Sequence, residues 1–259
     1  MELKSKITIF EAGTNEGVFS RHKKFYAPNS TKNEIIEQFN IVKKRCGEHF
    51  RFDDKKVFQA YQKTDLNQLD YPNGTYVVLE DKHMQKEDYW EESIPTDILI
   101  LKEQYKGVVV GNQMADCPIL IVEDRRLGVT ALSHCGASYI DRELPKDTIK
   151  ALQQEFHSNI EDLYVYVGSC AKKESYIYDT YPRWAKNEYM WKDNIEEKED
   201  GFHINMNGAI RIQLEELGIT HIEESPLDTI TNDKFYSHYG SGKGNKAKFG
   251  QNFVGFFYN

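Results

Sequence analysis

The sequence has no apolar run approaching the roughly 20 residues that a membrane-crossing helix needs. Its first residues, MELKSKITIFEAG, lack the apolar core of a secretory signal, so a cytoplasmic location is expected. Cysteine is scarce. Cys46, Cys117, Cys135 and Cys170 form no CxxC pair and no dense framework, which excludes a disulfide scaffold and suits a reducing compartment. Excess positive charge is missing too: a net charge of −8 leaves no general basic face for nucleic acid. Repeats, low-complexity tracts and linker-like segments are also absent, so residues 1–259 are read as one domain. At that length a substantial core is within reach, and a hydrophobic content of 39% is enough to fill it.

The most informative stretch is Tyr105–Arg142, YKGVVVGNQMADCPILIVEDRRLGVTALSHCGASYIDR. It holds three short apolar runs, Val108–Val110, Pro118–Val122 and Leu127–Leu132. They are closed by Gly111-Asn112, by Glu123-Asp124-Arg125-Arg126 and by Gly136. Runs this short read as strands, and tight turns make them antiparallel neighbours. Cys117 then stands at the entrance of the second strand and His134 at the exit of the third, which places a thiol beside an imidazole.

Around this centre, Lys6–Phe10, Lys56–Gln62, Thr75–Leu79, Leu163–Val167, Ile219–Ile222 and Phe253–Tyr258 read as strands. Pro72-Asn73-Gly74 marks a turn before the third of these. Thr31 and Glu34 have capping-box spacing, and Ile35, Phe39, Val42 and Cys46 follow on one helical face, with Cys46 a core residue. Leu144–Phe156, with Pro145 in its first turn, and the run through Met206, Ile210, Leu214 and Leu217, stopped by Gly218, give two more helices. Arg183–Gly201 reads as a charged helical excursion over the surface. Helices scattered among strand groups define an α+β fold, a mixed β-sheet sandwich flanked by helices. A parallel doubly wound sheet is disfavoured by the hairpin-like centre.

The segments MADCPILIVED and ALSHCG resemble the central signature of the YfiH-like family, known as laccase-domain or polyphenol oxidoreductase proteins and as purine nucleoside phosphorylases. Weaker matches recur in chain order at GVFS (Gly17–Ser20), APNS (Ala27–Ser30), LEDKHM (Leu79–Met84), GSCAKKESYIY (Gly168–Tyr178) and DTITNDKFYSHYG (Asp228–Gly240). The resemblance implies the two-sheet, helix-flanked sandwich shared with cytotoxic necrotizing factor toxins. It also implies a metal site: His83 falls on the family's first ligand and joins Cys117 and His134 at one tetrahedral position. Two imidazoles and a thiolate suit zinc, with copper as the alternative, and leave a fourth position for water or substrate.

The implied activity is attack on purine nucleosides, by phosphorolysis at the ribose C1′ or by deamination of adenosine. The implied partners are therefore a purine nucleoside and phosphate, with oligomeric state left open. Cys117, His134 and Asp116 are the candidate catalytic residues, Asp116 to orient a ligand or position the hairpin. His238 is a candidate proton shuttle, and with Ser237 and Ser138 a candidate substrate contact. Cys170 is expected to be packed rather than reactive.

The chain departs from the family where phosphate would bind. Ala137 and Ser138 replace a tryptophan and an arginine after the histidine, and Tyr239 and Gly240 replace two C-terminal arginines. Arginine's planar fork is the natural clamp for phosphate, so phosphorolysis is put in doubt. Lys243, Lys246 and Lys248 are possible replacements, or a solvated loop. Two other readings stay open. One is a metal-independent hydrolase or amidase in which His134 activates Cys117, of the deamidase or peptidoglycan-precursor-editing kind. The other is a scaffold without turnover.

Overall fold

The computed structural model describes residues 4–20, 24, 27–61, 76–85 and 94–259. The expected turn at Pro72-Asn73-Gly74 lies outside them. The first sheet holds β1 (Ile7–Ala12), β2 (Val57–Tyr61), β4 (Ile94–Pro95), β6 (Val109–Met114) and β14 (Asn252–Tyr258), in the order β1-β14-β6-β2-β4. The second holds β3 (Tyr76–Val78), β5 (Ile98–Lys102), β7 (Ile119–Asp124), β8 (Val129–His134), β9 (Leu163–Val167) and β13 (His221–Glu224), in the order β13-β9-β7-β8-β5-β3. A small third sheet pairs β10 (Ile177–Tyr178), β11 (Ile195–Lys198) and β12 (Gly201–Ile204). Both large sheets are mixed. In the first, β14 is antiparallel to β1 and β6, while β2 is parallel to β6 and β4.

Strand periodicity explains how the two large sheets stack. Successive side chains of a strand face opposite ways, and β14 shows this cleanly. Val254, Phe256 and Tyr258 join the core between the sheets, where Leu99, Leu101, Ile119, Ile121 and Leu132 meet them. Phe253 and Phe257 face the other way, toward Phe39, Val42 and Cys46 of α1 (Lys32–Phe50). The outer face of the second sheet is covered by α2 (Ala137–Asp141), α3 (Leu144–Phe156), α4 (Glu188–Trp191) and α5 (Met206–Glu216). The α+β sandwich flanked by helices is therefore the fold. No helix among the described residues is long and apolar enough to cross a membrane.

The capping box at Thr31 and Glu34 is present, and Cys46 and Cys170 are fully buried, as read from the sequence. Three sequence readings are corrected. Gly111-Asn112 does not end a strand: β6 runs through it, because the ring of Phe253 lies where a side chain at 111 would go, with Phe253 Cζ 2.4 Å from an ideal Cβ. For the same reason the central region is not three consecutive hairpin neighbours. β6 belongs to the first sheet and pairs with β14 and β2, while β7 and β8 form a hairpin in the second. Finally, Arg183–Gly201 is not a surface helix. It contains the short α4 and the β11–β12 hairpin, and Trp191 is fully buried against Trp184. One carboxylate oxygen of Asp141 fixes this segment, accepting from the Trp191 indole N–H at 2.9 Å and from the backbone N–H groups of Lys186 and Asn187 at 2.8 Å.

One buried acid opposes folding. Asp97 is 3% exposed and its Oδ1 has no hydrogen-bond partner. Burial pushes its carboxyl up to about 6, against the favourable charge of Arg142. The unfolded carboxyl titrates near 3.9, so the folded state holds the proton more tightly. Stability from this group is full below about pH 4 and is lost as pH rises through 6. Discounted for partial solvation, Asp97→Asn should gain about 1–2 kcal/mol at pH 7 and almost nothing at pH 4, read from urea midpoints. An equal gain at both pH values would contradict this origin.

Candidate functional site

The β7–β8 hairpin builds the site. Ile119 is paired with His134, and the Cys135 N–H donates to the Pro118 carbonyl at 2.9 Å, so the chain just before β7 runs beside the end of β8. Cys117 and His134 thereby reach one cleft, as the sequence predicts. A side chain at Gly136 would stand 3.4 Å from the Cys117 sulfur, so glycine there leaves the thiol its room. The cleft has a volume of about 450 Å³, and both residues line it, partly exposed.

Burial disfavours the charged form of both groups. Burial, then the negative charge of Asp116, pushes the Cys117 thiol up to about 12. Burial pulls the His134 imidazole down to about 4. A cysteine nucleophile needs the opposite shift, since the thiolate is the attacking form. The Cys–His hydrolase reading therefore has the electrostatics against it.

Asp116 is 8% exposed, and both its carboxylate oxygens are engaged. Oδ1 accepts from the Thr229 hydroxyl at 3.0 Å and Oδ2 from the Tyr239 backbone N–H at 2.8 Å. It ties the hairpin entrance to α6 (His238–Gly242). His238 lines the same cleft, its imidazole pulled down mainly by burial and held up in part by Asp116. Ser237 is fully buried and caps α6, accepting from the Gly240 N–H at 2.8 Å, so its hydroxyl serves the helix. Ser138 lies in α2 and is not among the residues lining the cleft.

His83 is not brought to this pair. It sits in the turn after β3, where its Nδ1 accepts the Glu80 N–H at 2.9 Å. Among the described residues, no three His, Cys, Asp or Glu side chains are grouped to hold a metal ion. A thiol and a neutral imidazole have the right chemistry for zinc, but a catalytic zinc takes three protein ligands. A multicopper centre would need more histidines than His134 and His238, the two among the described residues that line the cleft. The described residues thus supply half of a metal site.

The lysines considered as phosphate clamps divide. Lys248 is buried, with its Nζ donating to the carbonyls of Asn232 and Phe235. Lys243 lies near the cleft, 5.6 Å from the centre of the Tyr239 ring and 3.4 Å from Asp179. Sequence reasoning missed the cleft's other walls: Gln113, Tyr178, Tyr239 and Gln251. Tyr178 and Tyr239 carried a signal, lying in the family-like stretches Gly168–Tyr178 and Asp228–Gly240. Gln113 and Gln251 carried none.

Comparison with known proteins agrees with this architecture. The chain belongs to the family described as multi-copper polyphenol oxidoreductase laccase, whose model matches residues 34–253. It is similar to a protein named purine nucleoside phosphorylase from Bacteroides thetaiotaomicron, at 28% identity over 148 residues. That match spans about half of the relative's length, 54% of each chain. Two solved structures share the fold. YlmD from Geobacillus stearothermophilus has a TM-score of 0.69 at 17% identity, covering 86% of this chain and 81% of its own. The Bacillus licheniformis protein YfiH has a TM-score of 0.67 at 16% identity, covering 86% and 82%. These place the chain among the YfiH-like proteins.

Proposed function

We propose that the protein is an enzyme acting on purine nucleosides in the cleft over Cys117 and His134, by cleaving the glycosidic bond or removing the 6-amino group. The observation that carries this is the convergence of Cys117 and His134, from adjacent strands, in an aromatic-walled cleft of about 450 Å³. The relative named purine nucleoside phosphorylase supports the substrate class. In glycosidic cleavage the C1′–N9 electrons leave with the base, which must gain a proton, while phosphate or water bonds to C1′. In deamination, water adds at C6 and ammonia leaves. Both routes need a group that takes a proton from the nucleophile and one that returns it. His238, which lines the cleft, is assigned that proton transfer, and His134 is kept as a metal ligand.

Zinc is the metal proposed for this site, with Cys117 and His134 as its ligands from the described residues. When bound, it would supply an acidified water and polarise the substrate. Metal content of protein purified without a histidine tag tests the assignment apart from activity. Cys117→Ala and His134→Ala should each lower zinc stoichiometry at least tenfold, and His83→Ala should leave it unchanged. Zinc lost in His83→Ala, or retained in the other two, would overturn the assignment.

A further inference from the structure

Three tyrosines form one wall of the cleft. The rings of Tyr176 and Tyr178 lie 5.3 Å apart, and those of Tyr176 and Tyr239 5.2 Å, both edge to face. Their hydroxyls are engaged. Tyr176 and Tyr178 share a hydrogen bond of 3.0 Å, and the Tyr239 hydroxyl donates to the Ile177 carbonyl and accepts its N–H. What this wall offers a ligand is ring surface, held rigid by those bonds and by the Asp116 contact to the Tyr239 backbone.

Two side-chain amides also line the cleft. Gln113 is paired with Phe253, and Gln251 lies two residues before Phe253 in the neighbouring chain segment, a diagonal position across the ladder. The Gln251 Oε1 is buried with no hydrogen-bond partner. A buried amide oxygen left unpaired opposes folding, and such groups in folded proteins call for an explanation. The Phe19 N–H donates to the Gln251 carbonyl at 3.1 Å, which fixes that residue's backbone.

We infer that Tyr176, Tyr178 and Tyr239 stack the purine ring of the substrate, while Gln251, with Gln113 beside it, hydrogen-bonds the edge of the base. This rests on the nucleoside reading and deepens it. Stacking on aromatic rings recognises any flat heterocycle. An amide supplies a donor and an acceptor side by side, which matches the amino and ring-nitrogen edge of adenine. Gln251 sets the base preference, and the tyrosines set the requirement for a planar ring.

Calorimetric titration of the full chain with adenosine, inosine and free ribose tests the inference. Wild-type protein should bind the nucleosides and not ribose. Tyr178→Leu should weaken adenosine binding about tenfold or more, and Gln251→Leu about 10- to 100-fold. Because Gln251→Leu removes an unpaired buried amide, its melting temperature should hold or rise, which separates lost binding from lost folding. Gln251→Glu keeps the size but loses the donor, so it should bind adenosine at least fivefold better relative to inosine than wild type does. Adenosine binding untouched in both leucine variants would overturn the base cradle and leave the nucleoside reading standing. Wild-type protein that binds neither nucleoside would overturn both.

Discussion

Replacing Cys117 with alanine should lower turnover of a purine nucleoside by about a thousandfold, roughly 4 kcal/mol of barrier. Cys117 is partly exposed and lines the cleft. The folded state should therefore barely notice, with a change of about 0.5 kcal/mol or less. Cys117→Ser separates two roles. A serine hydroxyl is a poor zinc ligand, so activity and zinc should fall together if the thiol holds the metal. Wild-type protein should also label slowly with iodoacetamide near pH 7, because a bound zinc would shield the thiolate and, without metal, burial and Asp116 disfavour it. Fast labelling of Cys117, with activity indifferent to chelators, would restore the nucleophile reading.

The second large effect belongs to Asp116. Asp116→Ala leaves the Tyr239 N–H and the Thr229 hydroxyl without their acceptor and should cost about 2–3 kcal/mol of stability. It also releases α6 from the hairpin, so the cleft loses the placement of Tyr239 and His238. The Michaelis constant for nucleoside should rise at least tenfold. If Asp116 only positions these residues, the pH–rate profile of the variant keeps its shape. Loss of the acidic limb would show that Asp116 itself moves a proton. Asp116→Asn, which retains one acceptor, should lie between wild type and alanine in both stability and Michaelis constant.

How much of this was legible before folding depended on whether a signal was local. The Thr31–Glu34 capping box and the apolar face behind it are contained in one helix, and α1 formed as read. The β7–β8 hairpin was equally local, so Cys117 and His134 were placed correctly. The sheet to which β6 belongs was not legible. Its partners are β14 and β2, and its Gly111 is a strand residue only because Phe253, far along the chain, lies over it. The segment Arg183–Gly201 misleads for a similar reason: a charged stretch hides one buried indole, Trp191, and its anchor Asp141 lies 50 residues earlier.

The position of His83 in the chain fits a ligand, yet its turn places its ring against Glu80. The cleft's amides were invisible because glutamine has no pattern of its own, and only strand pairing brings Gln113 and Gln251 to one cleft.

The central claim is that the cleft over Cys117 and His134 transforms purine nucleosides. It is tested most directly by incubating the protein with adenosine and with inosine, with and without phosphate, and separating the products by chromatography. The account predicts loss of nucleoside, with a free base or, from adenosine, inosine as product, and no loss with Cys117→Ala or His134→Ala. Intact nucleoside after incubation with a stoichiometric amount of metal-loaded protein, in both phosphate conditions, would contradict it.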